Sequence, residues 1–330
     1  APLFVMRTKT SERPIEGMGE PHDITVLGAG SIGVSFAAVF VDAGARVTLV
    51  EPDDGRRAEI GVSLAHHTDA MTTAGLRKDK GGALRVVPSL DDGASEADLV
   101  VECGPERLET KQQIFGELMA RTGSGTVLAT ASSAIPMSRI LPDRGDQARC
   151  LVAHPVNPPT VLRLIEIAPA PGTTRDTIDR TVTLFQALAF APVVLGREIE
   201  GFLLNRFQGA VLREAYRLVD EGIAEPEEID TVMRLGLGPR WALSGPFETA
   251  ELNTPGGIIA HAERMGPAYK RMGEGRGETV NWSPELVARV DAARREVLPR
   301  DQIPARAAWR VDAVARLVAA RNRIADGSDD

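Results

Sequence analysis

Residues 24–51 read ITVLGAGSIGVSFAAVFVDAGARVTLVE. Ile24, Val26 and Leu27 make a short apolar strand, and Gly28-Ala29-Gly30-Ser31-Ile32-Gly33 is a G-x-G-x-x-G turn. Val34 to Asp42 holds neither proline nor glycine and reads as helix. Gly44 closes that helix, and Arg46 to Val50 is a second strand ending on Glu51. Strand, glycine turn, helix, strand and acid in this register make a dinucleotide-binding unit. Gly28 permits the tight turn, Gly30 lets a pyrophosphate approach the backbone, and Gly33 lets the helix pack close to the strand. The helix N-terminus offers unpaired N–H groups to the phosphates. Glu51 stands 23 residues after Gly28, where a carboxylate grips the ribose 2′- and 3′-hydroxyls and repels a 2′-phosphate. The expected cofactor is therefore NAD, held by Gly28, Gly30, Ser31, Ile32, Gly33 and Glu51. Arg56 and Arg57 are the nearby cations that would accommodate an extra phosphate.

Outward from this unit the pattern continues. Residues 54–74 and 108–121 read as helices, and apolar strands recur at 84–87, 98–103, 126–130 and 149–153. A strand at 164–167, a helix at 174–188 and a strand at 192–195 follow. Strands alternating with helices give an α/β fold class, a Rossmann-type doubly wound parallel sheet. The character changes at Glu200, beyond which the chain reads only as helix, including 202–222, 284–297 and 305–325. The expected domains are a flexible tail over 1–22, an NAD-binding domain over 23–199 and an all-helical domain over 200–330.

The chain of 330 residues is long enough for two cores. Its net charge of −8 disfavours a nucleic-acid partner, and no apolar run reaches the roughly 18 residues a bilayer span requires. The N-terminus turns polar within ten residues and carries no signal-peptide pattern. The two cysteines, Cys103 and Cys150, form no framework and read as reduced thiols of a cytoplasmic protein. His66 and His67 are adjacent on a helix and share no face, so no metal site is expected there or elsewhere.

Four clusters carry candidate chemistry. They are 101–111 (VECGPERLETK) and 130–133 (TASS), each after a strand, 154–159 (HPVNPP), and 201–206 (GFLLNR) at the start of the helical part. His154 directly follows an apolar strand and opens a proline-rigid loop. Removing a hydroxyl proton while a hydride leaves the same carbon requires a base near neutral pKa. Glu166, on the next strand, is placed to hold the other imidazole nitrogen. The spacing fits this pairing and fits equally a structural histidine with a surface glutamate.

These residues carry a resemblance. VLGAGSIG, ECGPERLETK, HPVNPP, LIEIAP, IEGFLLNR, RLVDEGI, GLGPRWALSGPFET and AWR around Trp309 together resemble the 3-hydroxyacyl-CoA dehydrogenase family, closest to its L-gulonate 3-dehydrogenase and lambda-crystallin branch. The resemblance runs from about residue 23 to about 320. It implies an NAD-binding domain followed by a helical domain that forms a homodimer. It further implies His154 as catalytic base, Glu166 as its partner and Asn205 as the residue that orients the substrate oxygen. Glu106 and Lys111 would contact the nicotinamide-side ribose. Thr130 falls where the family commonly has a catalytic-site serine, and Ser132 and Ser133 are further hydroxyls for the substrate beside it.

Acyl-CoA enzymes typically carry HFFNP where this chain has HPVNP, and they lack an arginine like Arg240 in the stretch GPRWA. The gulonate branch and L-carnitine dehydrogenases carry one, and both act on small 3-hydroxy acids with a free carboxylate. Arg240 is thus the expected carboxylate anchor, unless it pairs with an acid such as Glu248 or crosses a dimer interface. Trp241 would suit a trimethylammonium group, but aromatic residues are 4% of the chain and a cage needs more of them. The expected substrate is a small 3-hydroxy acid, with an acyl-CoA, L-carnitine or a non-enzymatic, crystallin-like role as the alternatives.

Overall fold

The computed structural model of the chain describes residues 21–90, 96–277, 283–306, 309, 320 and 323. Most of the expected tail, and most of the helix expected over 305–325, lie outside the described residues. The chain divides between Leu212 and Arg213 into two compact units.

The first unit alternates β1 (Asp23–Leu27), α1 (Ser31–Asp42), β2 (Arg46–Val50), α2 (Asp54–Thr73), β3 (Ala83–Val87), β4 (Leu99–Glu102), α3 (Leu108–Arg121) and β5 (Val127–Thr130). It continues through α4 (Met137–Ile140), β6 (Cys150–Pro155), β7 (Leu164–Pro169), α5 (Arg175–Ala187) and β8 (Ala191–Val194). The strands form one sheet in the order β3-β2-β1-β4-β5-β6-β7-β8. The sheet is the doubly wound, mostly parallel one expected, with one departure: β7 runs antiparallel to β6, and β8 parallel to β7. The reason is the connection. Only the eight residues 156–163 link β6 to β7, and a parallel return needs a crossover of a dozen or more.

Strands β4, β5 and β6 are buried along their whole length, because helices cover both faces of the sheet. One face packs Val26, Leu49, Val101, Ala129, Ala153 and Ile167 against α1 and α5. There Phe36, Phe40, Phe185 and Phe190 form an aromatic cluster with ring centroids 5.1 to 6.4 Å apart. Each ring so buried contributes about 1.5–3 kcal/mol by removal from water. The other face sets Leu27, Val100, Leu128 and Val152 against Phe115 and Leu118 of α3 and Met137 of α4. This second face matters for chemistry. Along it the cross-strand register aligns Glu102 with Thr130, Thr130 with Val152, and His154 with Glu166. Polar residues that end apolar strands are thereby placed side by side.

Helix α6 (Leu204–Asp220) begins before the division of the units and ends after it. The regular elements described in the second unit are helices, among them α7 (Pro226–Val232), α8 (Gly238–Trp241), α9 (Pro246–Leu252), α10 (Gly257–Glu274) and α11 (Pro284–Val297). Glu225 and Glu228 form a capping box at the start of α7, where Pro226 needs no N–H partner. Buried Glu248, Glu251 and Asp291 are met by Arg306 at 2.9 Å, Arg294 at 2.9 Å and Arg300 at 2.6 Å. Unpaired, such buried carboxylates would cost several kcal/mol each.

Candidate active site

The glycine turn has the shape a pyrophosphate requires. Gly28 sits at φ +97°, in the region that favours glycine, and a β-carbon there would lie 3.1 Å from the Cys103 carbonyl oxygen. A β-carbon at Gly33 would lie 1.8 Å from the Gly28 carbonyl oxygen, so α1 and the turn touch backbone to backbone. Gly30 faces open space, with nothing within 4 Å of a β-carbon built there. It caps α1 with no side-chain hydrogen bond, which leaves the first N–H groups of the helix for a ligand. Glu51 is 3% exposed. Its carboxylate accepts from Ala29 N–H at 2.9 Å and from Asp53 N–H at 3.0 Å, which ties the end of β2 to the turn. Each oxygen keeps a further lone pair for a hydroxyl. Arg57 is turned to the Glu51 carbonyl and to Asp54, while Arg56 stays 4.0 Å from the Glu51 carboxylate.

Beyond the turn, a pocket of about 420 Å³ opens between Ile32 at the start of α1 and His154 at the end of β6. His154 Nδ1 lies 2.9 Å from Glu166 Oε2. A carboxylate only accepts, so Nδ1 carries the proton and the lone pair of the neutral ring is on Nε2. The other Glu166 oxygen accepts from Leu203 N–H at 2.8 Å and Leu204 N–H at 3.0 Å, the entry to α6. Burial alone would raise the Glu166 pKa, but the His154 bond and those two N–H groups outweigh it and hold the carboxyl below the ordinary glutamate range. With 2% exposure, Glu166 is no surface residue. The approach to α6 is a sharp turn, Gly201 at φ +75° and Phe202 at φ +46°. A phenylalanine in this region is a true outlier. It is held because its ring is buried and packs 5.4 Å from the His154 ring.

A second constellation lies beside the first. Lys111 on α3 is 1% exposed and pairs with the fully buried Glu102 at 2.8 Å. Glu106 spans Lys111 at 3.4 Å and the loop after β5, accepting from the Ser132 hydroxyl at 2.6 Å and from Ser133 and Ala134 N–H at 3.1 Å each. Burial opposes its ionisation, yet the Ser132 hydroxyl, the Lys111 charge and the Ala134 N–H keep its pKa below the ordinary 4.5. A carboxyl depressed on folding contributes stability above its unfolded pKa and loses it as pH falls through the folded value. Wild-type Tm should therefore drop as pH falls below about 4.5, and Glu106→Gln should drop less there in a scanning-fluorimetry series. An equal drop would assign acid lability to other groups.

The structure brings His154, Glu106, Lys111 and Asn205 to one pocket and departs from the expectations at two hydroxyls. Thr130 is fully buried, and its hydroxyl donates to Glu102 at 2.6 Å, so that proton is not offered to a substrate. Ser132 is 1% exposed and committed to Glu106. Ser133 is the exposed hydroxyl that lines the pocket. Asn205 donates from Nδ2 to the Ser133 carbonyl at 3.2 Å, which leaves its second amide hydrogen free to turn inward. Glu102 and Gln208 are not singled out by sequence. The signal for Glu102 is a charged residue closing a strand buried on both faces; Gln208 gives none. Arg240 belongs to the second unit, exposed on α8. Among the described residues it has no ion-pair partner, and Glu248 is engaged by Arg294 and Arg306. Also among the described residues, no group of three or more His, Cys, Asp or Glu side chains is placed to hold a metal ion.

The model of the 3-hydroxyacyl-CoA dehydrogenase NAD-binding domain matches residues 23–199, and that of the C-terminal domain matches 201–294. The chain belongs to the 3-hydroxyacyl-CoA dehydrogenase family. As a member of that family it is an NAD-dependent oxidoreductase. The open face at Gly30, the uncapped start of α1 and the Glu51 carboxylate fit that cofactor. The chain is similar to a lambda-crystallin homolog from Bos taurus, 36% identical over 317 residues, 93% of this chain and 98% of that one. It is also similar to an L-carnitine dehydrogenase from Oceanobacillus iheyensis, 32% identical over 249 residues, 75% of this chain and 81% of that one. A 3-hydroxyacyl-CoA dehydrogenase from Archaeoglobus fulgidus shares the fold, with TM-score 0.69 and 21% identity over 91% of this chain and 99% of that one.

Proposed function

We propose that this family member oxidises the 3-hydroxyl of a small, free 3-hydroxy carboxylic acid of the L-gulonate type. The observation that carries the reading is the buried His154–Glu166 pair opening on a pocket edged by hydroxyl and amide side chains, those of Ser133, Asn157, Asn205 and Gln208. Such a lining suits a polyol chain, whose hydroxyls each need a partner. No phenylalanine, tyrosine or tryptophan is among the described residues lining that pocket, which disfavours the trimethylammonium of L-carnitine.

His154 takes the hydroxyl proton on Nε2, and the Glu166 carboxylate stabilises the imidazolium that results. Ser133 and the free Asn205 amide hydrogen donate to the oxygen as it becomes a carbonyl. NAD, when bound, would supply the nicotinamide that takes the hydride from C3. The likeness to an L-carnitine dehydrogenase supports Arg240, exposed and without an ion-pair partner among the described residues, as the residue that recognises the substrate carboxylate, and Lys in its place loses the two-pronged bond. Arg240→Lys should raise KM for a free hydroxy acid about tenfold or more. Unchanged KM and kcat would remove Arg240 from the site.

The test of the substrate class is NADH formation, read by absorbance, with L-gulonate, L-carnitine, 3-hydroxybutyrate and 3-hydroxybutyryl-CoA. Turnover of the free acids supports the reading. Turnover of the thioester alone transfers the protein to acyl-CoA chemistry, and NADH binding without any turnover favours a structural role.

The proposed assembly is a cytoplasmic homodimer. It draws on α6, a helix with no buried residue whose apolar side includes Phe207 at 62% and Tyr216 at 75% exposure. Apolar surface of this kind marks an interaction face.

A further inference from the structure

A second pocket, of about 440 Å³, lies at the other end of α1 from the glycine turn. It shares no lining residue with the first. With 12 residues in α1, the two ends of the helix are about 18 Å apart. The pocket is edged by Ala43 after α1, by Lys78 and Lys80 before β3, by Arg163 before β7, and by Gln186 and Phe190 around the turn from α5 to β8. Its volume falls in the range of small-molecule sites, roughly 300–1,000 Å³.

The lysine loop is built rather than loose. Asp42, 7% exposed at the end of α1, accepts from Lys78 N–H at 2.8 Å, Asp79 N–H at 3.1 Å and Arg77 Nε at 2.6 Å. Its carbonyl accepts from Lys80 N–H at 3.0 Å. The loop is thus fixed with Lys78 and Lys80 at the pocket. The carboxylates of Asp42 and Asp79, which border the loop, are both paired with Arg77. Neither lysine has an ion-pair partner among the described residues, and neither does Arg163.

Arg163 is half-buried. Its Nε donates to the Thr160 carbonyl at 3.0 Å, and its guanidinium lies 5.7 Å from the Phe190 ring centroid. Burial draws its pKa down from the ordinary range while the Asp42 charge pushes the other way without forming an ion pair. Ala189, which lines this pocket in the turn after α5, holds a positive φ of +65°, and Asp79, between the two lysines, holds +50°. The other such residue among those described is Phe202 against His154. Backbone strain of this kind persists at sites that use it.

We infer that this pocket binds the phosphate group of a small organic phosphate, gripped by Lys78, Lys80 and Arg163, with the organic part against Gln186 and Phe190. A guanidinium and two ammonium groups without carboxylate partners match a dianion better than a single carboxylate. The inference does not depend on which hydroxy acid the enzyme oxidises.

The test uses the protein saturated with NADH, so that the glycine turn is occupied. Glucose 6-phosphate and inorganic phosphate are titrated into it by calorimetry. Glucose 6-phosphate should bind at one site per chain and more tightly than inorganic phosphate. Lys78→Ala/Lys80→Ala, which alters only exposed side chains, should weaken binding about tenfold or more. Arg163→Met, which keeps an apolar chain over Phe190, should do the same. No saturable binding, or binding unchanged in both variants, would overturn the assignment. Equal affinity for inorganic phosphate would reduce the site to one for the free ion and defeat the organic part.

Discussion

His154→Asn should fold as the wild type does and lose about three orders of magnitude in kcat, the middle of the range general-base catalysis supplies. The fold should survive because Glu166 is not orphaned. Its second oxygen keeps Leu203 and Leu204 N–H, and the asparagine amide remains able to donate to the first. NADH affinity should be unchanged, since no part of the glycine turn is touched. The measurement is steady-state turnover beside an NADH titration. Glu166→Gln should cost at least as much, because its single amide oxygen cannot serve both His154 Nδ1 and the Leu203 and Leu204 N–H groups, and the charge that steadies the imidazolium is gone. If His154→Asn retains kcat within tenfold, the pair is structural and another group accepts the proton.

The second large effect separates two glycines of the same turn, Gly33 and Gly30. Gly33→Ala sets a β-carbon 1.8 Å from a backbone oxygen. The turn and α1 must then part, at a cost of about 1–3 kcal/mol or more, and both Tm and NADH affinity should fall. Gly30 sits at φ −69°, a value any residue adopts, and faces open space. Gly30→Ala should keep its Tm and still lose about tenfold or more in NADH affinity, because the new methyl stands where the pyrophosphate approaches. Equal NADH affinity in Gly30→Ala and wild type would show that the cofactor lies off this turn.

Much of the α/β architecture is legible in the sequence because apolar strands, glycine turns and helix lengths are local signals. Residues 108–121 and 284–297 are helices with the ends the sequence indicates. The antiparallel β7 escapes such a reading although the short link from His154 to Leu164 carries the clue: chain direction depends on connection length, which strand patterns do not express. His154 and Glu166 are visible as two candidates, and they become a pair only through register, which puts residues on neighbouring strands opposite one another. The hydroxyls show the limit. Thr130, Ser132 and Ser133 are near neighbours in a short stretch, and nothing local distinguishes them. Burial and the acids Glu102 and Glu106 claim the first two and leave the third to the pocket.

The hydrogen bonds from Leu203 and Leu204 to Glu166 constrain how the gene of such a protein can be recombined. The helical region reads as separable at Glu200, where the sequence changes character. Yet the first turn of α6 is fastened to the carboxylate that holds His154, and Phe202 is buried against the same ring. A chimera joined at residue 200 would import a foreign helix start beneath a resident imidazole. A seam after Leu212 keeps the carboxylate, the turn and the first helical residues from a single parent.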